Sequence, residues 1–318
     1  MKLLVTGAAG FIGRALCAAL AGDHELVASL WTSAEAARCH PGARPVLVGE
    51  LGPSTEWSPY MKGIDVVVHL AGRAHVLHET EPDPAASFHR VNTMGTERVA
   101  SQAAERGVRR FVFISSVGVH GRNSNGRPLQ ESFPPAPAEP YALSKWNAEK
   151  SLHRISAETG MEIVIVRPPL VYGPGVPGNF RSLLRAIRRG IPLPLGSARA
   201  PRSLVGVENL ASLLRLCIES PAASGQTFLV SDGEDVSVAD LCRRLAAAMN
   251  VPSRLFAFPS FAVSLAARFT GRTKTFDQLF RALTVDPSRA RTILGWSPPL
   301  ALADGIAATG QWFVSSNE

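Results

Sequence analysis

Through the first 167 residues, short apolar runs take turns with stretches whose apolar positions recur every three or four residues. The runs Lys2–Thr6, Glu25–Leu30, Val46–Gly49, Asp65–Leu70, Arg110–Ser115 and Glu162–Arg167 predict strands. They are rich in Val, Ile, Leu and Phe and do not alternate strictly with polar residues, which is the pattern of strands covered on both faces. Phe11–Ala21, Ser87–Arg106 and Ala142–Thr159 carry the helical period. Strand and helix in alternation predict an α/β fold built on a doubly wound parallel sheet.

Past Arg167 the rhythm breaks. Pro168, Pro169, Pro174, Pro177, Pro192, Pro194 and Pro201 interrupt it, and helical periods dominate: Phe180–Arg189, Val207–Glu219, Val238–Met249, Phe276–Leu283 and Pro287–Leu294. The reading is a sheet domain over 1–167 and a smaller, mainly helical substrate lobe over 168–318. The lobe is interleaved with the sheet domain and does not fold independently. Ligands of open α/β sheets sit beyond the carboxyl ends of the strands, so the lobe is expected to close over that crevice.

Composition narrows the class. The 318 residues are 46% hydrophobic and 19% charged, enough for a full core. The net charge of +7 suits an anionic small molecule. Nucleic acid is not expected, since no nucleic-acid motif is recognisable and three tyrosines leave little for base stacking. Cys17, Cys39, Cys217 and Cys242 have no Cys-x-x-Cys spacing, and three of them lie in apolar helical stretches. Reduced core cysteines and no metal are expected. No apolar run reaches membrane-spanning length, and the run Phe261–Phe269 is short and broken by Arg268. A strand starting at residue 2 leaves no room for a signal segment, so a soluble, cytoplasmic protein is expected.

Two motifs carry the chemistry. Thr6-Gly7-Ala8-Ala9-Gly10-Phe11-Ile12-Gly13 follows the first strand and opens the first helix. Gly7 allows the sharp turn, Gly10 the approach of a pyrophosphate, and Gly13 the packing of helix on strand. The helix N-terminus adds free amides and a positive dipole end. A dinucleotide is the expected ligand. The second strand ends Leu30-Trp31-Thr32-Ser33, without the carboxylate that would bind a free ribose 2′-hydroxyl. Thr32 and Ser33 with Arg14 or Arg38 would suit a 2′-phosphate. NAD or NADP therefore both remain, with a tilt to NADP. Glu50, with Leu51 beside it, is placed to meet the adenine amino group. The small residues of Leu70-Ala71-Gly72 let the dinucleotide pass close to the backbone. Ser115 and Pro168 complete the expected cofactor contacts. Arg73, His75 and His78 follow that strand; the two histidines are assigned no chemistry.

The second motif is Tyr141-Ala142-Leu143-Ser144-Lys145, which lies after Ser115-Ser116 at the end of the fifth strand. Hydride transfer at a carbinol carbon needs a group that takes the hydroxyl proton. Tyrosine titrates near 10 and is made more acidic by a nearby ammonium. Tyr141 and Lys145 are one helical turn apart and share a face. Ser116 can hydrogen-bond the reacting oxygen, and Asn92 can support the lysine or a water. Tyr141 and Lys145 also count among the cofactor contacts.

Taken in order, TGAAGFIG, HLAG, NTMGT, FISSVGVHG, YALSK, RPPLVYGPG and LGW resemble the extended short-chain dehydrogenase/reductase family, nearest its UDP-sugar 4-epimerase and 4-ketoreductase branch. The resemblance implies a Rossmann-type fold and the triad Ser116, Tyr141 and Lys145. It further implies a UDP-sugar substrate, a role in surface-polysaccharide precursors, and a homodimer through the helices Ser87–Arg106 and Ala142–Thr159. Arg202 matches the position that clamps the diphosphate, Asn179 offers its amide to a phosphate, Leu193 lies in the segment that packs on uracil, and Arg73 joins them at the substrate. Departures are informative. Family dehydratases carry Asp-Glu where this chain has Val117-Gly118, so dehydration is disfavoured. His120 stands where relatives have Tyr, and Leu170 where many have Asn, leaving both roles open. An enzyme of this family acting on a non-nucleotide carbonyl, and a non-catalytic dinucleotide sensor, stand as alternatives.

Overall fold

The computed structural model describes residues 1–74, 81–257 and 279–316. Seven parallel strands form the main sheet: β1 (Lys2–Thr6), β2 (Glu25–Leu30), β3 (Ala43–Leu47), β4 (Val66–His69), β5 (Arg110–Ile114), β6 (Glu162–Arg167) and, from far along the chain, β9 (Thr227–Leu229). Their order is β3-β2-β1-β4-β5-β6-β9, so the chain reverses its direction of winding between β1 and β4. A crevice opens at such a switch point, beyond the strands' carboxyl ends.

Each central strand is buried on both sides because its residues face alternate layers. Leu3, Val5, Val66, Val68, Val112, Ile114, Val164 and Val166 pack with α1 (Phe11–Leu20) and α6 (Val207–Glu219) through Leu16, Leu210, Leu213 and Leu214. Leu4, Val67, Phe111, Phe113, Ile163 and Ile165 face the opposite layer. There they meet Val99 of α3 (Gly95–Glu105) and Ala148 and Leu152 of α4 (Pro140–Thr159). This is why the strands read as continuous apolar runs. The expected doubly wound sheet is present.

Arg110 fastens α6 to the sheet. Fully buried, it donates through Nη1 to the carbonyls of Cys217, Ile218 and Ser220 at the helix's C-terminal end, and through Nε to Glu162 at 2.6 Å. A cation there complements the helix dipole as well as the orphan carbonyls.

The lobe is mainly helical, as expected, with one addition. It contains a second sheet of three short strands, β7 (Leu170–Tyr172), β8 (Pro201–Gly206) and β10 (Asp235–Ser237), in the order β10-β8-β7. Around it lie α5 (Gly178–Arg188), α7 (Val238–Ala248), α8 (Ser288–Leu294) and α9 (Leu302–Ser315). Tyr172, Phe180, Leu184, Leu204, Leu241, Leu245 and Phe313 form its core. The apolar run Phe261–Phe269 and the first three residues of the helix expected over Phe276–Leu283 fall outside the described residues. Leu283 itself pairs as a β-bridge with Arg202.

Two boundaries moved for clear reasons. β3 begins at Ala43, three residues before the expected strand, because it is an edge strand and tolerates Pro45. The helix expected from Ser87 starts at Pro84 as α2 (Pro84–Phe88), capped by Asp83, and continues into α3 through a π-helical turn, His89–Met94. Among the described residues no helix is long and apolar enough to cross a membrane.

Candidate active site

The end of β1 is tied to the end of β4. Thr6 Oγ1 lies 2.7 Å from His69 Nδ1, and the amides of Leu70 and Ala71 donate to the same hydroxyl. His69 Nε2 meets Thr96 Oγ1 at 3.0 Å, while Thr96 donates its proton to the Asn92 carbonyl at 2.6 Å. Thr96 therefore accepts from His69, and Nδ1 accepts from Thr6; the chain of donors fixes a neutral imidazole protonated at Nε2. Burial, reinforced by the Lys145 charge, pushes His69 down to about 3. This buried linchpin of the HLAG motif went unnoticed in the sequence because a lone histidine in an apolar run carries no period or spacing.

Around it the glycine turn closes tightly. Gly7 has φ +69°, and a Cβ there would come 2.9 Å from the Ala71 amide nitrogen. A Cβ on Gly13 would lie 2.2 Å from the Gly7 carbonyl oxygen and 2.7 Å from Ala8 Cα. Gly10 caps α1 with no side-chain acceptor, so the first-turn amides of Phe11, Ile12 and Gly13 are left to an outside acceptor. This cradle fits a pyrophosphate. Gly13→Ala is expected to weaken dinucleotide binding at least about tenfold, since the turn cannot close on the extra methyl. Quantifying the nucleotide released from purified wild type and variant checks this.

The strand-end segment then passes over the second motif. A Cβ on Gly72 would meet Asn92 Oδ1 at 3.0 Å and Lys145 Nζ at 3.5 Å. Asn92, in the π-helical turn, accepts from the Arg73 amide at 2.7 Å and donates to the Arg73 carbonyl and Ser144 Oγ, both at 3.0 Å. Ser144 donates in turn to the Tyr141 carbonyl. Asn92 thus binds the β4 loop to the first turn of α4 and makes no hydrogen bond to the lysine. The irregular turn explains why: a π-bulge re-aims side chains within a helix.

Lys145 is buried. Its ammonium donates to the Ile114 carbonyl at 2.8 Å and lies 4.6 Å above the centre of the Phe113 ring. Burial lowers it to about 8, against the pull of Glu149, which raises it. Tyr141 is half-buried, edge-on to Phe88 with ring centres 5.9 Å apart, and is hydrogen-bonded with Ser116. Here the structure corrects the expectation of an acidified phenol. Burial pushes Tyr141 up to about 12, with Ser116 the one group drawing it down. The ammonium expected to acidify it is directed at a strand carbonyl instead.

Beneath Lys145 lies an ionic group that the sequence gave no means of assembling. Arg167, at the end of β6, donates through Nε and Nη2 to Glu149 of α4, and the Ser115 hydroxyl donates to the same carboxylate. Ser115, expected at the cofactor, thus turns its side chain into the protein. Arg167 Nη1 lies 2.9 Å from His120 Nε2, which fixes Nε2 as the acceptor of a neutral ring. Burial, then the Arg167 charge, lowers His120 to about 4. The role left open for His120 is thus to terminate this buried network.

The sign of the resulting pH dependence is set by the neutral forms. His120 and His69 bind protons less readily in the fold than unfolded, so acid favours unfolding. Their stabilisation is present above about pH 6.5 and is lost as pH falls toward 4 for His120 and 3 for His69. His120 should account for up to about 3 kcal/mol. Urea midpoints are expected to drop from pH 7 to 4.5, and to drop less in His120→Gln.

The remaining candidates are placed as follows. Glu50 pairs with Arg90 at 3.1 Å, and Leu51 packs on Gly95. The Pro168 carbonyl accepts from the Val117 amide. Arg38 is exposed and faces Glu35 at 3.6 Å, while Arg14 reaches Gly175, where a Cβ would lie 2.8 Å from its Nη2. Thr32 caps the short 3-10 helix Ser33–Arg38. Arg73 stacks on Phe88 at 4.7 Å, close to Tyr141. In the lobe, Asn179 is exposed in the first turn of α5, and Leu193 bridges to Leu255. Arg202 of β8 donates to the Arg281 carbonyl at 2.8 Å, and burial lowers its pKa.

Residues 3–231 match the model of the NAD dependent epimerase/dehydratase family. The chain belongs to that family. It is 40% identical to a UDP-glucose 4-epimerase of Vibrio cholerae, over 99% of this chain and 96% of the relative. It is 30% identical to a UDP-glucose 4-epimerase of Mycolicibacterium smegmatis, with both chains covered in full. A crystal structure of UDP-glucuronic acid 4-epimerase from Bacillus cereus, with UDP-glucuronic acid and NAD, shares the fold. The TM-score is 0.83 at 23% identity, over 99% of this chain and 100% of that one. In this chain Gly7 of the glycine cradle abuts Ala71, and the neighbouring Gly72 faces Lys145.

Proposed function

We propose that this protein is a UDP-hexose or UDP-N-acetylhexosamine 4-epimerase working through a 4-keto sugar. The observation that carries this reading is the hydrogen-bonded pair Tyr141 and Ser116, one helical turn from a buried Lys145 that stands beside Gly72. A bound nicotinamide dinucleotide supplies the hydride acceptor and donor. Tyr141 takes the proton of the C4 hydroxyl and returns it, and Ser116 orients that oxygen through the hydrogen bond it shares with the phenol. Lys145, fixed on the Ile114 carbonyl, presents positive charge to the ribose side of the dinucleotide. Dehydration has no support: buried Val117 and Gly118 offer no carboxylate after Ser116.

For the substrate, Arg202 and Asn179 are assigned to the diphosphate, Leu193 to uracil, and Arg73 to the sugar end. Arginine suits the first role because its charge persists even where burial lowers its pKa. A cytoplasmic homodimer through α3 and α4, serving surface-polysaccharide precursors, completes the reading. A 4-ketoreductase would use the same side chains, and the 40% identical relative favours the epimerase.

The test is incubation with UDP-glucose and UDP-GlcNAc, reading the C4 epimer by chromatography. Interconversion without net NADH or NADPH consumption is expected. Consumption of reductant by a UDP-4-keto-6-deoxy sugar, without epimerisation, would establish the ketoreductase. Arg202→Ala is expected to raise KM for the UDP-sugar by about 10- to 100-fold, the loss of a charged hydrogen bond. An unchanged KM would remove the diphosphate clamp and point to a non-nucleotide substrate.

A further inference from the structure

The second strand lacks the carboxylate that would hold the adenosine ribose: its last residue is Leu30, and the next side chain is the exposed indole of Trp31. A carboxylate nevertheless stands at that strand end. Glu35, from the 3-10 helix Ser33–Arg38, folds back so that its Oε2 accepts from the Trp31 amide at 2.8 Å. Its side chain is three-quarters covered, and its Oε1 faces Arg38 at 3.6 Å. Both arginines that suited a 2′-phosphate are thereby diverted. Arg38 shares its charge with Glu35, and Arg14 reaches the Gly175 backbone.

We propose that Glu35 is the cofactor-selecting residue of this protein, supplying from five positions downstream the carboxylate missing from the end of β2 and so selecting NAD over NADP. This rests on the dinucleotide-dependent reading above and reverses the tilt that hydroxyls and arginines gave the sequence. A carboxylate at the strand end accepts a hydrogen bond from a free 2′-hydroxyl and repels a phosphate in the same place. Arg38 shields that repulsion only in part, since its guanidinium is largely in water. Sequence inspection passes over Glu35 because the familiar acid occupies the strand end itself, and the fold-back of a 3-10 turn leaves no periodic trace.

The test uses the full chain stripped of nucleotide on charcoal and titrated calorimetrically with NAD⁺ and with NADP⁺, without substrate. Wild type is expected to bind NAD⁺ at least about tenfold more tightly than NADP⁺. Glu35→Gln, which keeps an acceptor for the Trp31 amide and so preserves the turn, is expected to shrink that ratio to within about threefold. Arg38→Ala should leave NAD⁺ preferred. Equal or tighter NADP⁺ binding by wild type overturns the proposal while the oxidoreductase reading stands. So does an unchanged ratio in Glu35→Gln, or a selective loss of NADP⁺ affinity in Arg38→Ala. Failure of wild type to bind either dinucleotide removes both readings at once.

Discussion

Replacing Tyr141 by phenylalanine is expected to lower kcat by about 10²- to 10⁴-fold while leaving the melting temperature nearly unchanged. The ring keeps its edge-on contact with Phe88, so packing survives. What disappears is the hydroxyl that exchanges the C4 proton and its bond with Ser116. Since burial pushes the phenol up to about 12, it must release its own proton, for which the hydrogen bond with Ser116 is the route at hand, before it can accept that of the C4 hydroxyl. Steady-state kinetics on the epimerised UDP-sugar, with a thermal melt alongside, separates chemistry from folding. A variant keeping more than about a tenth of wild-type kcat would sink the assignment.

The largest effect on stability is expected from Arg167→Leu, a loss of about 3–5 kcal/mol. Glu149 has no exposure and Arg167 has 5%, so removing the guanidinium strands a carboxylate away from water with the Ser115 hydroxyl as its remaining side-chain donor. Removing both charges should cost less. The double variant Arg167→Leu/Glu149→Leu replaces a buried pair by apolar groups, which is often close to neutral. Urea unfolding of the two variants measures the contrast. Equal losses in the single and double variants would show that packing, rather than a stranded charge, governs the site. Glu149 also supports the ammonium of Lys145, so the double variant should lower the lysine's pKa further below 8.

Much of the sheet domain was legible because its signals are local. Buried parallel strands announce themselves as apolar runs, and Gly7 and Gly13 occupy positions where backbone geometry admits nothing larger. The residues proposed for catalysis were read from equally local signals: a strand end for Ser116 and one helical turn for Tyr141 and Lys145. The lobe was not. Its strands β7 and β10 have three residues each, too few to show a period. Helix α9 was passed over because Gly305 and Gly310 interrupt its pattern. The structure shows why they are there: a Cβ on Gly305 would meet the Tyr172 hydroxyl at 2.5 Å, and one on Gly310 would meet Ala248 Cβ of α7 at 2.6 Å. Close packing against distant residues set those two identities. The same holds for Glu149 with Arg167 and for Glu35 with Trp31, partnerships made by tertiary folding that no spacing rule anticipates.

The seventh strand of the main sheet, with the helix α6 that Arg110 anchors, has a consequence for how the protein is made. Both arrive after the ribosome has already released the lobe strands β7 and β8. A nascent chain that stops at Arg167 has six of the seven strands but lacks Leu210, Leu213 and Leu214 of α6, which share the core with Leu16 of α1. Such an intermediate offers sticky surface to chaperones until about residue 229 has emerged.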